Sequence, residues 1–425
     1  MVGKVLVEKR RIEKRKGDDE PVELNKTKLA YSCQRDSDLI ARLVDNLLIP
    51  LATRKDWLDR HFLKRMHEEY PDIVAKLPEE WLYGLTEQYV AFRVLGPDRL
   101  LRAYLKEPEV QKKSAKEKHF LETRLFTPWR YVFMRIEEDL GDDFFRMKNV
   151  LTDDVFLLYS PGVGKYEEEG RMSLYFSLLT FNGECHQTYG PIASFVGLQP
   201  IDLRFYARQL NDQIDTFVAV EAELQRDPLP FMMLIAAANF PLTYSKEELL
   251  VISLTELEVE FLDLTQWKTF FKIEEKEGVY LLNLKRWWKQ PHYAHCHYAP
   301  NDKKLVATST TDRGWEKLVD VVRELGVDLS YEPQVYTTMV GAITTEMILG
   351  TQGAKSPYES LFAPKNTGEE GDELEALNHF LSLLIPYLNA REEYDLHELA
   401  EEAGISYAEA MLIAKQMEEK FSKGF

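Results

Sequence analysis

Met172-Ser-Leu-Tyr-Phe-Ser-Leu-Leu-Thr-Phe-Asn-Gly-Glu-Cys-His-Gln-Thr-Tyr-Gly-Pro-Ile192 reads as two strands, Met172 to Phe181 and Glu184 to Ile192, joined at Asn182-Gly183. Asn-Gly tolerates the positive φ values of a two-residue type I′ turn. Such a turn would pair Phe181 with Glu184, Thr180 with Cys185 and Leu179 with His186. Upstream, Trp129 to Ile136, Phe144 to Val150 and Val155 to Tyr159 are also strand-length, with turn chemistry at Thr152-Asp-Asp154 and Ser160-Pro-Gly162. Five short strands within residues 126–198 predict a small five-stranded β-barrel of SH3 or OB size.

On the amino-terminal side of the barrel the pattern is helical. Leu39, Ile40, Leu43, Val44, Leu47 and Leu48 repeat at helical spacing up to Pro50, and Trp57, Leu58, Phe62 and Met66 form a second stripe. Residues 37–125 are therefore expected to be a helical region, preceded by a basic arm and lead-in over 1–36. On the other side, 199–226 predicts a connecting helix. Residues 227–350 predict an α+β domain, with strands near Phe231 to Asn239, Leu249 to Glu260, Phe270 to Leu284, His292 to Tyr298 and Lys304 to Thr311. A helix over Arg313 to Leu325 would be capped by Asp312 and ended by Gly326, with a further strand near Val327. Residues 351–372, rich in Gly, Pro and polar side chains, read as a linker, and 373–425 as a helical module. The expected fold class is α+β multidomain.

The chain has 425 residues, of which 45% are hydrophobic and 29% charged, and its net charge is −18. Those values describe an ordinary globular composition, and the acidic balance argues against polyanions and anionic membranes as main partners. No apolar run approaches a bilayer-spanning length, and Met1 to Val7 is followed at once by Glu8, Lys9, Arg10 and Arg11, unlike a secretory leader. Three widely spaced cysteines, Cys33, Cys185 and Cys296, form no C-x-x-C pair and read as reduced, buried thiols. The expected setting is cytoplasmic. One local charge reversal stands out: Lys4, Lys9, Arg10, Arg11, Lys14, Arg15 and Lys16 face only Glu8 and Glu13. Such an arm can track phosphates or remain a solvated tail, and it carries no interleaved aromatic residue to stack a base.

Near the carboxyl end, Asp395-Leu-His-Glu-Leu-Ala-Glu-Glu-Ala-Gly-Ile-Ser-Tyr-Ala-Glu-Ala predicts helix, turn, helix. Leu396, Leu399 and Ala400 share one face, Gly404 suits the turn, and Ser406 with Glu409 makes a capping box. The L-x-x-L-A-x-x-x-G-I-S run of Leu396, Leu399, Ala400, Gly404, Ile405 and Ser406 resembles the helix-turn-helix half of winged-helix domains. In the DNA-reading members of that class the second helix enters the major groove and presents base-reading and phosphate-binding side chains. Here it offers Glu409, Lys415, Gln416, Glu418, Glu419 and Lys420, beside Glu398, Glu401 and Glu402 of the preceding helix, and no two-stranded wing follows before Phe425. That charge pattern opposes DNA phosphate.

Few residues suggest chemistry. His292-Tyr-Ala-His295-Cys296-His297 is the one cluster of metal-ligand types, and strand alternation puts only His295 and His297 on a common face. With a turn at Pro300-Asn301-Asp302 their neighbours would be Val306 and Thr308, which supply no good third ligand. Ser160-Pro-Gly-Val-Gly-Lys165 lacks the leading Gly and the trailing hydroxyl of a phosphate loop and reads as a hairpin turn. Cys185 and His186 are adjacent, so on a strand they point apart. No catalytic residue, cofactor site or oligomeric state is legible. The expected function is a non-enzymatic scaffold or regulatory protein acting through protein partners. The alternative is a nucleic-acid-associated regulator using Lys9, Arg10, Arg11, Lys14, Arg15, Lys16 and the helix-turn-helix segment, and a third is a metal-dependent hydrolase built on His295 and His297.

Overall fold

The computed structural model describes residues 25–417 except 98–99, 169–173, 246, 364–368, 391–393, 408, 412 and 416; at 167–168, 369–375, 378, 389 and 390 it describes the backbone alone. The chain is α+β and multidomain. Among the described residues no helix is long and apolar enough to cross a membrane.

Asn25 opens the first helix, Lys26–Ile40, by accepting a hydrogen bond from the Lys28 N–H. The sequence predicts that this helix ends at Pro50, but it continues to Asp56. Ala41–Leu48 forms a π-helical stretch, and Pro50 lies in the first turn of Ile49–Asp56. The wider π turn absorbs the missing proline N–H and keeps the ring off the preceding carbonyls. Helices Leu58–Glu69 and Glu79–Leu95 then pack back on this rod, with Phe62 stacked on Tyr89 at 4.4 Å.

The barrel strands are β1 (Arg130–Gly141), β2 (Phe144–Asn149), β3 (Val155–Tyr159), β4 (Leu174–Phe181) and β5 (His186–Phe195). They close in the order β1-β2-β3-β5-β4, with β3 and β5 parallel and the other pairs antiparallel. Alternation along β1 sends Val132 and Met134 inward to meet Phe145, Met147, Leu158 and Tyr175. It sends Tyr131 and Phe133 outward into the core built by the amino-terminal helices. Helix and barrel thus share one continuous apolar core: Tyr131 lies 5.0 Å from Phe92, and Phe133 stacks on Phe176 at 4.5 Å.

Two local expectations are corrected here. Ser160-Pro-Gly-Val-Gly-Lys165 is no hairpin turn. It starts a helix, Pro161–Glu168, in which the Ser160 hydroxyl accepts from the Val163 N–H and Val163 helps to fill the barrel. The β4–β5 register is displaced by two residues from the type I′ expectation, pairing Phe181 with His186, Thr180 with Gln187 and Leu179 with Thr188. The cause is Asn182, whose side-chain oxygen accepts from the Glu184 and Cys185 N–H groups and holds residues 182–185 as a wider loop. Cys185 consequently sits in the loop rather than in the ladder.

The 199–226 stretch is two helices, Pro200–Leu210 and Phe217–Arg226. The expected strand at Phe231 to Asn239 is instead a pair of short helices, Leu229–Met232 and Leu234–Ala237, buried in the first core. A short, wholly apolar run has no period to separate the two states. Next come β6 (Val251–Glu258), β7 (Phe271–Lys276), β8 (Val279–Leu284), β9 (His295–Ala299), β10 (Lys304–Ser309) and β11 (Val335–Thr338), ordered β11-β6-β10-β9-β8-β7. Helix Asp312–Glu324 covers one face through Trp315, Leu318, Val319 and Val322. Its cap is Thr311, which accepts from the Gly314 N–H, so Asp312 lies inside the helix rather than at its cap. The last strand begins at Val335 rather than near Val327.

The two cores are joined at Asp202. Its carboxylate accepts from the Gln199 N–H at 2.8 Å, the Thr338 N–H at 2.7 Å, and the Thr337 and Thr338 hydroxyls at 2.8 and 2.9 Å. Thr338 in turn caps helix Met339–Leu349. Residues 351–363, in the stretch whose composition suggested a linker, run along the body. Lys355 pairs with Glu346 at 2.8 Å, Ser356 is buried, and the Tyr358 hydroxyl donates to Asp302 at 2.7 Å.

Candidate functional site

β9 carries His295 and His297 on one face of the sheet, their rings 5.0 Å apart and edge-on. The hairpin with β10 has the register expected from the Pro300-Asn301-Asp302 turn: His295 opposite Thr308 and His297 opposite Val306. On the other side of β9, His295 faces Asn283 and His297 faces Leu281 of β8. His297 is 1% exposed, with Phe362 and Tyr358 rings 5.5 and 6.3 Å away, and its Nδ1 meets no hydrogen-bond partner among the described residues. Burial first, and the neighbouring His295 second, push its pKa down to about 3. Burial likewise lowers that of His295, whose Nδ1 donates to the Tyr293 carbonyl at 2.8 Å. Both rings are therefore neutral at pH 7.

The other cluster members lie elsewhere. His292 meets the Thr311 hydroxyl at 2.7 Å, with Glu248 3.7 Å away. Cys296 is buried in the opposite-face core. Among the described residues no group of three or more His, Cys, Asp or Glu side chains is placed to hold a metal ion. The sheet face of His295 and His297 is instead capped by aromatic rings from Tyr358 and Phe362.

The carboxyl-terminal segment forms a small core of its own. Helix Glu369–Ala390 contributes Phe380 and Leu384, helix Leu396–Ala403 contributes Leu399, Ala400 and Ala403, and the helical residues after the turn contribute Ala410 and Ala414. Asp395 caps the middle helix by accepting from the His397 and Glu398 N–H groups. Gly404 ends it at φ +75°, with the Ile405 N–H returning to the Ala400 carbonyl. Ser406 and Glu409 form the reciprocal capping bonds. The following turn leaves Tyr407 48% and Met411 52% exposed, one helical turn apart, with Glu409 beside them. His397 stacks on Tyr407 at 5.1 Å. Glu398, Glu401 and Glu402 are exposed on the neighbouring helix, and Lys415 is the one exposed cation on the described part of the second helix.

The barrel's own rim is covered. Barrels of OB size use the β2–β3 face and the β1–β2 and β4–β5 loops for ligands. Here those loops carry Asp142, Asp143 and Glu184, and the first helix lies against the same face. Lys26 donates to the Leu140 carbonyl and pairs with Asp142 at 3.3 Å. Gln187 reaches the Cys33 carbonyl and the Ser37 hydroxyl at 3.2 and 3.0 Å. Deeper in, Arg124 pairs with Asp36 at 2.6 Å and donates to the Phe181 carbonyl. Burial raises the Asp36 pKa and lowers that of Arg124, so desolvation outweighs the attraction between them. Cys33 and Cys185 meet in this interface with sulfurs 3.1 Å apart. Nothing in the sequence pattern signals that pair, nor the Asp202 joint, because each unites residues more than 130 positions apart.

Lys9, Arg10, Arg11, Lys14, Arg15 and Lys16 lie outside the described residues. No family model, curated protein or solved structure matches this chain.

Proposed function

We propose that this chain is a non-enzymatic scaffold or regulatory protein that binds a protein partner through its carboxyl-terminal helical module. The observation that carries this reading is the exposed Tyr407 and Met411 pair, set among Glu398, Glu401, Glu402 and Glu409. In a helix-turn-helix, the outward residues of the second helix make the contacts. An aromatic and a thioether side chain in an acidic field suit a partner segment with an apolar anchor flanked by Lys or Arg. They suit a phosphate backbone poorly. The occupied barrel rim supports the same reading, since the face such barrels offer to nucleic acids is already covered by the first helix.

The test is affinity capture from the native cell with the full chain and with a Tyr407→Ser, Met411→Ser double variant, alongside titration of labelled single- and double-stranded DNA and RNA. Defined proteins retained by the native chain and lost with the double variant are the expected result. Capture unchanged by the variant, or salt-sensitive nucleic-acid binding in place of protein capture, overturns it.

A further inference from the structure

We propose that Cys33 and Cys185 are a reversible oxidation site, a dithiol that closes to a disulfide and fastens the first helix to the β4–β5 loop of the barrel. The two sulfurs belong to residues 152 positions apart and lie 3.1 Å from each other. Both side chains are buried, at 0% and 1% exposure, against Phe144, Leu29 and Leu157. A disulfide needs its sulfurs about 2.0 Å apart, so closure requires roughly 1 Å of approach, within reach of small side-chain rotations. The third thiol, Cys296, is buried among apolar residues of the other core without a sulfur neighbour among the described residues.

The two thiols share their polar surroundings. The two sulfurs share a hydrogen bond that either can donate, and the Asn182 amide donates to Cys33 at 3.3 Å and to Cys185 at 3.7 Å. Either sulfur can attack first, and the step is written with Cys185, the thiol on the β4–β5 loop, attacking and Cys33 resolving. With a hydroperoxide as oxidant, the Cys185 thiolate attacks the terminal oxygen. The O–O bond breaks, the alkoxide leaves and takes a proton to become the alcohol, and Cys185 becomes a sulfenic acid. Cys33 then attacks the Cys185 sulfur, the S–O bond breaks, and hydroxide leaves with the Cys33 proton as water. Two thiols have lost two electrons and the peroxide has gained them. A dithiol reductant reverses the step by thiol–disulfide exchange.

The consequence is mechanical. In the reduced state the first helix is held on the barrel by non-covalent contacts, with Leu29 and Ala30 packed among Phe144, Leu157 and Tyr159 and Gln187 bonded to the Cys33 carbonyl and the Ser37 hydroxyl. In the oxidised state it cannot lift. Since both sulfurs are screened from water, oxidation proceeds through molecules in which the helix has transiently opened, and mild urea should accelerate it.

The test uses the full chain treated with hydrogen peroxide, then mapped by mass spectrometry without reduction. Free thiols should fall from three to one, with a Cys33–Cys185 linked peptide that dithiothreitol releases, and amide exchange over residues 26–40 should slow in the oxidised protein. In Cys33→Ser, peroxide should leave a Cys185 sulfenic acid that dimedone traps. If that variant fails to fold, the linked peptide in the native chain decides alone. Native chain that keeps three free thiols under peroxide, or that over-oxidises Cys185 while Cys33 remains free, overturns the proposal, as does a disulfide that leaves exchange over 26–40 unchanged.

Discussion

His297 couples the sheet to acidity. Its pKa in the folded chain is about 3 against 6.5 for the free side chain, so between those values the unfolded chain binds a proton that the folded chain refuses. Stability from this residue is complete above pH 6.5 and is lost as pH falls through that window, at a limiting slope of about 1.4 kcal/mol per pH unit. His295, lowered by burial as well, adds to the same trend. Urea denaturation from pH 7 to pH 4 should show a falling midpoint, and His297→Phe should flatten the fall by up to one proton. An identical pH slope in the variant would mean that the buried ring carries no proton linkage. The placement of the two rings was legible in the sequence, because Pro300-Asn301-Asp302 fixes the hairpin and strand alternation does the rest. Their burial was not, since Tyr358 and Phe362 arrive from some sixty residues away.

At the scale of the element, the carboxyl-terminal turn is set by two residues. Gly404 holds a left-handed conformation with open space where a Cβ would stand, so the cost of a side chain there is backbone strain rather than collision. Gly404→Val should destabilise the module by about 1–3 kcal/mol and Ser406→Ala by about 1 kcal/mol. Because the described residues of its core all lie at 380 or beyond, both losses should appear as earlier unfolding of this segment, read by hydrogen exchange, while β1–β11 keep their protection. Loss of protection throughout the chain would show instead that the module is cooperative with the body. Both signals were legible because they are local: a capping box spans four residues and a helix stop one. The β4–β5 turn is the counterexample. Asn-Gly marked the place of the turn but not its type, because the side-chain oxygen of Asn182 competes for the loop N–H groups and moves the register by two. The run beginning at Phe231 failed for a different reason, as uniform burial removes the periodicity that distinguishes helix from strand.

Over the whole molecule, the arrangement of cores decides what unfolds with what. The first core runs without interruption from Leu39 and Val44 through Phe92 and Leu121 to Trp129, Tyr131, Phe176 and Phe195, and on to Tyr206 and Phe231. Helices and barrel share one apolar core and are expected to unfold as one body, although their sequence periods differ sharply at Phe126. The second core, around Trp267, Leu282, Leu305 and Trp315, is separate and joined to the first at Asp202. Phe92 is a direct test of that division. It is buried in helix Glu79–Leu95 and its ring lies 5.0 Å from Tyr131 on the barrel's outer wall. Phe92→Ala should cost about 3–5 kcal/mol, since the cavity opens between two elements that cannot both relax into it. Hydrogen exchange under mild denaturant should then show β1 and β4 losing protection together with Glu79–Leu95, and β6, β9 and β10 retaining more. If the barrel amides stay protected at a denaturant concentration where Glu79–Leu95 has opened, the barrel's inner residues Val132, Met134, Phe145 and Tyr175 suffice to hold it. The shared outer core would then be a docking contact between two independently stable parts.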